Sequence, residues 1–375
     1  MATKTKARNG ITFQASELKA ALAAVRDAVP TNTPKPILRN VRIGDGLVSA
    51  TDLEMRIDAV IDYHGDPILL PYGRLSAILK EAVGDEVTIE PNGPSCTIRI
   101  GRGEWKLPTE DAAEFPTWEP EGTKLVCRLA SDQFSRAVSS VAYAIDEKSS
   151  RFALGALLFE VSRKESKVRF VATDGRRISV ANMDLGTVQD PDDSTSLVIP
   201  KAALACKNLA PKNTQVEILR NNREVVFNLE GATIIARQIE GRFPRWRDVF
   251  PERPNATTHE MVLKDLGSVT RAASIVTSEQ SKGVTYTFAD SALTLTAQSA
   301  EAGTSKVSCD VARYGRDASV KLDPKFVSEM CVALLGLEGA PVISVSLDTP
   351  GDGVVFSYGE GGEYMSVIMP LAADA

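Results

Sequence analysis

One order of elements occurs three times along this chain, and that repetition constrains the fold more than any single motif does. From residue 11 the apolar spacing predicts a strand, Ile11-Thr12-Phe13, then a helix from Ala15 to Val29 with Ser16 as N-cap and Leu18, Leu22, Val25 and Val29 on one face. The prolines of Thr31-Asn32-Thr33-Pro34-Lys35-Pro36 stop it. Strands at Ile37–Ile43, Leu47–Thr51 and Met55–Ile61 follow, then Leu69-Leu70-Pro71, a helix over Gly73–Ala82 and three strands ending at Leu107. The order restarts at Leu125, with helices over Ser131–Ala144 and Pro200–Leu209, and again at Met261, with helices over Lys264–Thr277 and Pro324–Leu335. Units of about 125 residues have the size of domains rather than of solenoid repeats. Each reads strand, helix, three strands, twice over, so the fold class is α+β, with helices in one layer and antiparallel sheets in another.

Near the middle, Phe170-Val171-Ala172 and Ile178 with Val180 flank Thr173-Asp174-Gly175-Arg176-Arg177. Asp174-Gly175 reads as the pair that supplies the positive φ angles of a tight hairpin. The first two units end on similar words, Phe115-Pro116-Thr117-Trp118 and Phe243-Pro244-Arg245-Trp246.

Several classes of function are excluded by what the chain lacks. No apolar run is long enough to span a bilayer, and no h-region follows the basic start Met1–Arg8, which points to a cytoplasmic protein with no membrane role. Five cysteines at 96, 127, 206, 309 and 331 form no close pair, so neither a disulfide framework nor a thiolate metal site is expected. His64 and His259 stand alone in polar sequence and read as solvent-exposed. There is no nucleophile elbow, phosphate loop or dinucleotide fingerprint. Nothing asks for catalysis, a metal or a cofactor.

The net charge is −6, against a protein coated in basic surface for nucleic acid. The six predicted helices run the other way. They carry ten basic residues, Lys19, Arg26, Arg74, Lys80, Arg136, Lys201, Lys207, Lys264, Arg271 and Lys325, against six acidic ones. Helices sharing one face would make that face mildly positive, enough to centre a polyanion without gripping it.

Six motifs stand in order along the chain: Pro36-Ile37-Leu38-Arg39-Asn40, Ala50-Thr51-Asp52-Leu53-Glu54-Met55, Arg151-Phe152-Ala153-Leu154, Ala172-Thr173-Asp174-Gly175-Arg176-Arg177, Glu240-Gly241-Arg242-Phe243-Pro244 and Val367-Ile368-Met369-Pro370-Leu371. Through them the chain resembles the bacterial DNA polymerase III β subunit, the sliding-clamp family, from Ile11 to Leu371. The resemblance implies three similar clamp domains, 1–123, 124–256 and 257–375, each with two helices and antiparallel sheets. It further implies a head-to-tail homodimer that closes a six-domain ring around duplex DNA, helices inside and sheets outside. The implied role is a processivity factor, placed by a clamp loader and tethering the replicative polymerase and repair proteins through their short peptide motifs.

The positions matching the family's peptide cleft are Leu154, Thr173, Gly175, Arg176, Arg177, Ile178, Pro244, Val249, Val367, Met369, Pro370 and Leu371. Trp105 and Leu107 match one side of the dimer seam, Ile275 and Val276 the other. The DNA-facing set implied by the resemblance and by helix charge is Lys19, Arg26, Arg74, Lys80, Arg136, Lys148, Phe152, Lys201, Lys207, Arg271 and Lys325. Arg176 departs from a family histidine, Ala153 from a common aromatic and Asn32 from an arginine, while Ala372–Ala375 extends past the usual end. Two other readings compete. A duplicated nucleic-acid-processing enzyme would need clustered acids, which the sequence does not offer, and a ring scaffold could serve repair or a mobile element rather than chromosomal replication.

Overall fold

The computed structural model describes residues 10–146, 152–185, 193–250, 255–278, 283–336, 341–349, 351–359 and 362–372. Its elements follow the predicted order in all three repeats. The helices are α1 (Ala15–Val25), α2 (Tyr72–Glu81), α3 (Ser131–Val141), α4 (Pro200–Leu209), α5 (Leu263–Ala273) and α6 (Pro324–Leu335). Each buries the stripe its spacing dictates, for example Leu18, Ala21, Leu22 and Val25 in α1 and Phe134, Ala137, Val138 and Val141 in α3.

Contacts group the chain into two compact units that cut across the repeats, residues 1–128 with 204–237 and residues 129–203 with 238–375. The cause lies in the sheets. In the first unit, Met55–Val60 of repeat one pairs antiparallel with Ala232–Arg237 of repeat two, giving one sheet of eight strands. In the second, Arg177–Asp184 of repeat two pairs in the same way with Tyr364–Ile368 of repeat three. Each unit also has a four-stranded sheet, which ends on the edge strand Gly103–Pro108 in the first and on the edge strand Gly303–Asp310 in the second. Helices pack against sheets within each unit, α1 on the strands of repeat one, α3 on Lys167–Thr173 and Arg177–Asp184, and α5 on Gly303–Asp310. Gly267 of α5 lets α6 come close, since a Cβ there would lie 3.1 Å from Cys331 Cβ.

The structure corrects several local expectations. The first helix of each repeat ends earlier than its apolar spacing suggests and leaves through a 3-10 turn, Arg26–Ala28, Ala142–Ala144 or Ser274–Val276. Ser16 lies inside α1, where Gln14 is the N-cap and makes no side-chain capping bond. The segment from Pro36 to Arg39 is a 3-10 turn because Pro36 takes its first position, so the strand begins only at Asn40. His259 is fully buried in Thr257–Val262, stacked on Phe288 at 4.0 Å with Nδ1 accepting from the Gly315 N–H. Burial pushes its pKa down, so the neutral ring is the folded form.

The central hairpin also differs. Only Gly175 is left-handed, at φ +85°, and Asp174 instead accepts from the backbone N–H groups of Arg176 and Arg177 at 2.9 and 3.0 Å. Thr173 Oγ1 donates to Arg177 O and accepts from Gly175 N–H. The same bonds recur in repeat one, where Asp52 accepts from Glu54 and Met55, Thr51 Oγ1 donates to Met55 O, and Leu53 is left-handed at φ +79°. A leucine there bears a strain that the glycine of the second copy avoids. Leu53→Gly is therefore expected to leave stability unchanged or raise it by up to about 1 kcal/mol, and Gly175→Ala to lower it by about 1 kcal/mol. Denaturant unfolding of both variants measures the contrast.

Candidate partner-binding cleft

On the outer face of the second unit's eight-stranded sheet, Ala156, Leu158, Val171, Ile178, Val180, Leu197, Trp246 and Val367 form an apolar cluster. Alternation explains the set, because Ile178 and Val180 share a face and the register puts Val367 opposite Ile178. The chain from Phe243 to Phe250 lies over this face, and its Phe243, Val249 and Phe250 pack onto the cluster beside Trp246. Pro244 and Met369 are exposed beside it, Met369 held through its N–H to Arg176 O at 2.9 Å. Gly353 allows this crowding, since a Cβ there would meet Val367 at 2.5 Å and the Met369 sulfur at 3.1 Å. Leu371 N–H donates to Lys321 O and fixes the end of the described chain.

An ion-pair cluster anchors the covering segment. Arg247 reaches both carboxylate oxygens of Glu160, at 3.0 and 2.5 Å, while Arg169 donates to Glu160 at 3.0 Å and also to Glu165. Both guanidiniums lie over the Trp246 ring, Arg247 at 4.2 Å. Burial alone would raise the Glu160 pKa, but Arg247 and Arg169 outweigh it and hold the carboxyl below its ordinary 4.5.

Most predicted cleft residues meet here: Ile178, Val249 and Val367 in the cluster, with Gly175, Arg176, Pro244 and Met369 exposed around it. Leu154, Pro370 and Leu371 are half-buried. Arg177 is the exception. As Ile178's neighbour it points to the opposite, helix-bearing face, where it pairs with Asp174 and Glu329, donates to Tyr143 O and stacks on Phe326 and Tyr143. It positions the hairpin instead of lining a cleft. The Thr173 hydroxyl is likewise used up in the turn.

Repeat one carries the matching place in closed form. There the positions of Ile178 and Val180 are Arg56 and Asp58, a buried pair at 2.9 Å, with Trp118 over Arg56 at 5.4 Å. The turn is shared, and the chemistry beyond it is not.

Among the DNA-facing set, Lys19, Arg26, Arg74, Lys80, Arg136, Lys201, Arg271 and Lys325 are exposed and Lys207 is half-buried. Arg26 falls outside α1 and pairs with Asp27 at 3.2 Å, so the shorter helices lose one charge of each sign and keep their surplus of four. Lys148 lies outside the described residues. Phe152 opens the 3-10 turn Phe152–Gly155, and its side chain lies outside the description. At the proposed seam Trp105 is half-buried, Leu107 belongs to the core, Ile275 is 79% exposed and Val276 is half-buried. Among the described residues no group of three or more His, Cys, Asp or Glu is placed to hold a metal, and no helix is long and apolar enough to cross a membrane.

Residues 128–245 match the family model for the DNA polymerase III beta subunit, central domain. The beta sliding clamps of Chlamydia muridarum and Caulobacter vibrioides are each 26% identical to this chain, over 320 residues (83% of this chain, 86% of the relative) and 343 residues (87% and 91%). Over most of its length the chain is thus similar to β sliding clamps. The crystal structure of the sliding clamp from Pseudomonas aeruginosa bound to griselimycin superposes with a TM-score of 0.88 at 20% identity, covering 97% of this chain and 99% of that one. That of the Bacillus subtilis sliding clamp gives the same values. The clamp fold is thus retained where four residues in five have changed.

Replacing Glu160 by Gln leaves two guanidiniums sharing Glu165 as their one remaining carboxylate partner among the described residues, and is expected to cost roughly 2 kcal/mol. Because the folded pKa is depressed, Glu160 adds stability that is present above 4.5 and disappears as pH falls through the folded value. Unfolding curves between neutral and acid pH are therefore expected to converge for wild type and Glu160→Gln at the acid end.

Proposed function

We propose that this protein is a sliding clamp, a ring of two copies that encircles duplex DNA and tethers a replicative polymerase through the apolar cleft around Ile178, Val249 and Val367. The observation that carries this reading is the pattern of strand joints. In both internal joints the last strand of one repeat's first half pairs with the last strand of the next repeat's second half. Continued once more, the rule pairs Gly303–Asp310 of repeat three with Gly103–Pro108 of repeat one. Both are sheet edges among the described residues, and Trp105 lies on one of them. Two copies satisfy both pairings head to tail, which closes the assembly and removes the exposed edges.

The three repeats, 1–123, 124–256 and 257–375, act as the clamp domains of each copy. Their exposed helix cations, Lys19, Arg74, Lys80, Arg136, Lys201, Arg271 and Lys325, face the DNA. A small positive surplus suits this task, because a ring is held by topology and tight phosphate contacts would slow its movement. A clamp loader opens the ring, and polymerase and repair proteins take turns at the cleft through short peptides with apolar anchors. The protein performs no chemistry and works in the cytoplasm. Service to chromosomal replication is preferred over a repair or mobile-element scaffold because the relatives across 80% or more of the chain are beta sliding clamps.

Light scattering is expected to give twice the chain mass, and Trp105→Glu to give the single-chain mass with unchanged circular dichroism. A single-chain mass for the wild type at high concentration would rule the ring out.

A further inference from the structure

Beside the apolar cluster lies an open groove of about 600 Å³ that the tethering role does not use. Leu158, Leu197, Ile239, Phe243 and Trp246 contribute its apolar surface, and Arg242, Arg245 and Arg247 its cations. Pro244 belongs both to this groove and to the cleft positions, and Leu158 and Trp246 belong to the cluster beneath the cleft, so the two hollows share a wall and a floor. The carboxylates facing the groove are already matched. Glu160 is held by Arg247 and Arg169, and Asp248 pairs with Arg245 at 3.1 Å. Arg242 is exposed and has no ion-pair partner among the described residues.

We propose that this groove extends the peptide cleft and receives acidic residues flanking the partner peptide's apolar anchors. The inference rests on the cleft reading and adds to it a preference among partners. A guanidinium offers a planar fork that fits a carboxylate, and the apolar floor covers the methylenes of a glutamate side chain. A nucleic-acid backbone fits the site less well, since it needs a row of free cations and would meet Asp248. Arg242 is the leading contact, with Arg245 joining once a peptide carboxylate competes with Asp248.

The test uses full-length protein and two labelled synthetic peptides sharing the same apolar anchors, one flanked by two glutamates and one by two glutamines, with the flank placed at either end. The glutamate form is expected to bind the wild type about three- to tenfold more tightly, as two exposed charge pairs allow. That advantage should vanish in Arg242→Gln/Arg245→Gln and in high salt, while the glutamine peptide binds the variant and the wild type alike. Equal binding of both peptides by the wild type overturns the proposal, as does a variant that weakens both equally. If the glutamine peptide fails to bind wild-type protein at all, the cleft reading itself falls, and this proposal with it. Tighter binding of the glutamine peptide after deletion of Ala373–Ala375 would assign the groove to the chain's own acidic end and would also overturn it.

Discussion

Backbone hydrogen bonding between repeats shapes everything else in this protein. A strand at the end of a half-repeat exposes a row of N–H and C=O groups that cannot be buried unpaired, and the next repeat supplies the partner. Because side chains alternate along each strand, the register of that joint decides which residues reach the outer face. In the second unit it sets Ile178 opposite Val367 and leaves an apolar floor. In the first it sets Arg56 opposite Ile235, and the floor is closed by Arg56, Asp58 and Trp118. One construction principle thus gives two surfaces, of which only one suits an apolar peptide.

The cleft depends on charge held out of sight as well as on apolar area. Arg177 on one face and Glu160 on the other are buried and multiply paired, each tying a loop to the sheet, the hairpin in the first case and the Phe243–Phe250 segment in the second. Removing either partner would strand a charge, so these contacts fix geometry more than they add stability. The surface of the helices is the opposite extreme, with exposed, dispersed cations.

Much of this could be read from residues alone. Apolar spacing located all six α-helices found among the described residues, and the turn read at Asp174 shares its hydrogen bonds with the one in the gap between the predicted strands Leu47–Thr51 and Met55–Ile61. The misses have physical causes. His259 shares its strand face with buried Met261, so parity would have placed it inside had polarity not been weighed first. Parity likewise separates Arg177 from Ile178. The helix ends were overrun because a 3-10 turn continues an apolar stripe for one more step. The groove at Arg242 has no periodic signature, since it arises from a loop laid across a sheet, and only the density of arginines around Trp246 hinted at it.

The most direct test of encirclement is retention on DNA of different topology. Loaded onto a nicked circular duplex and passed through a gel-filtration column at moderate salt, the protein should elute with the DNA. Cutting the circle once should release it. Equal retention on circle and linear DNA would show adhesion by contact instead of topology, and release from both would show that no ring closes around DNA.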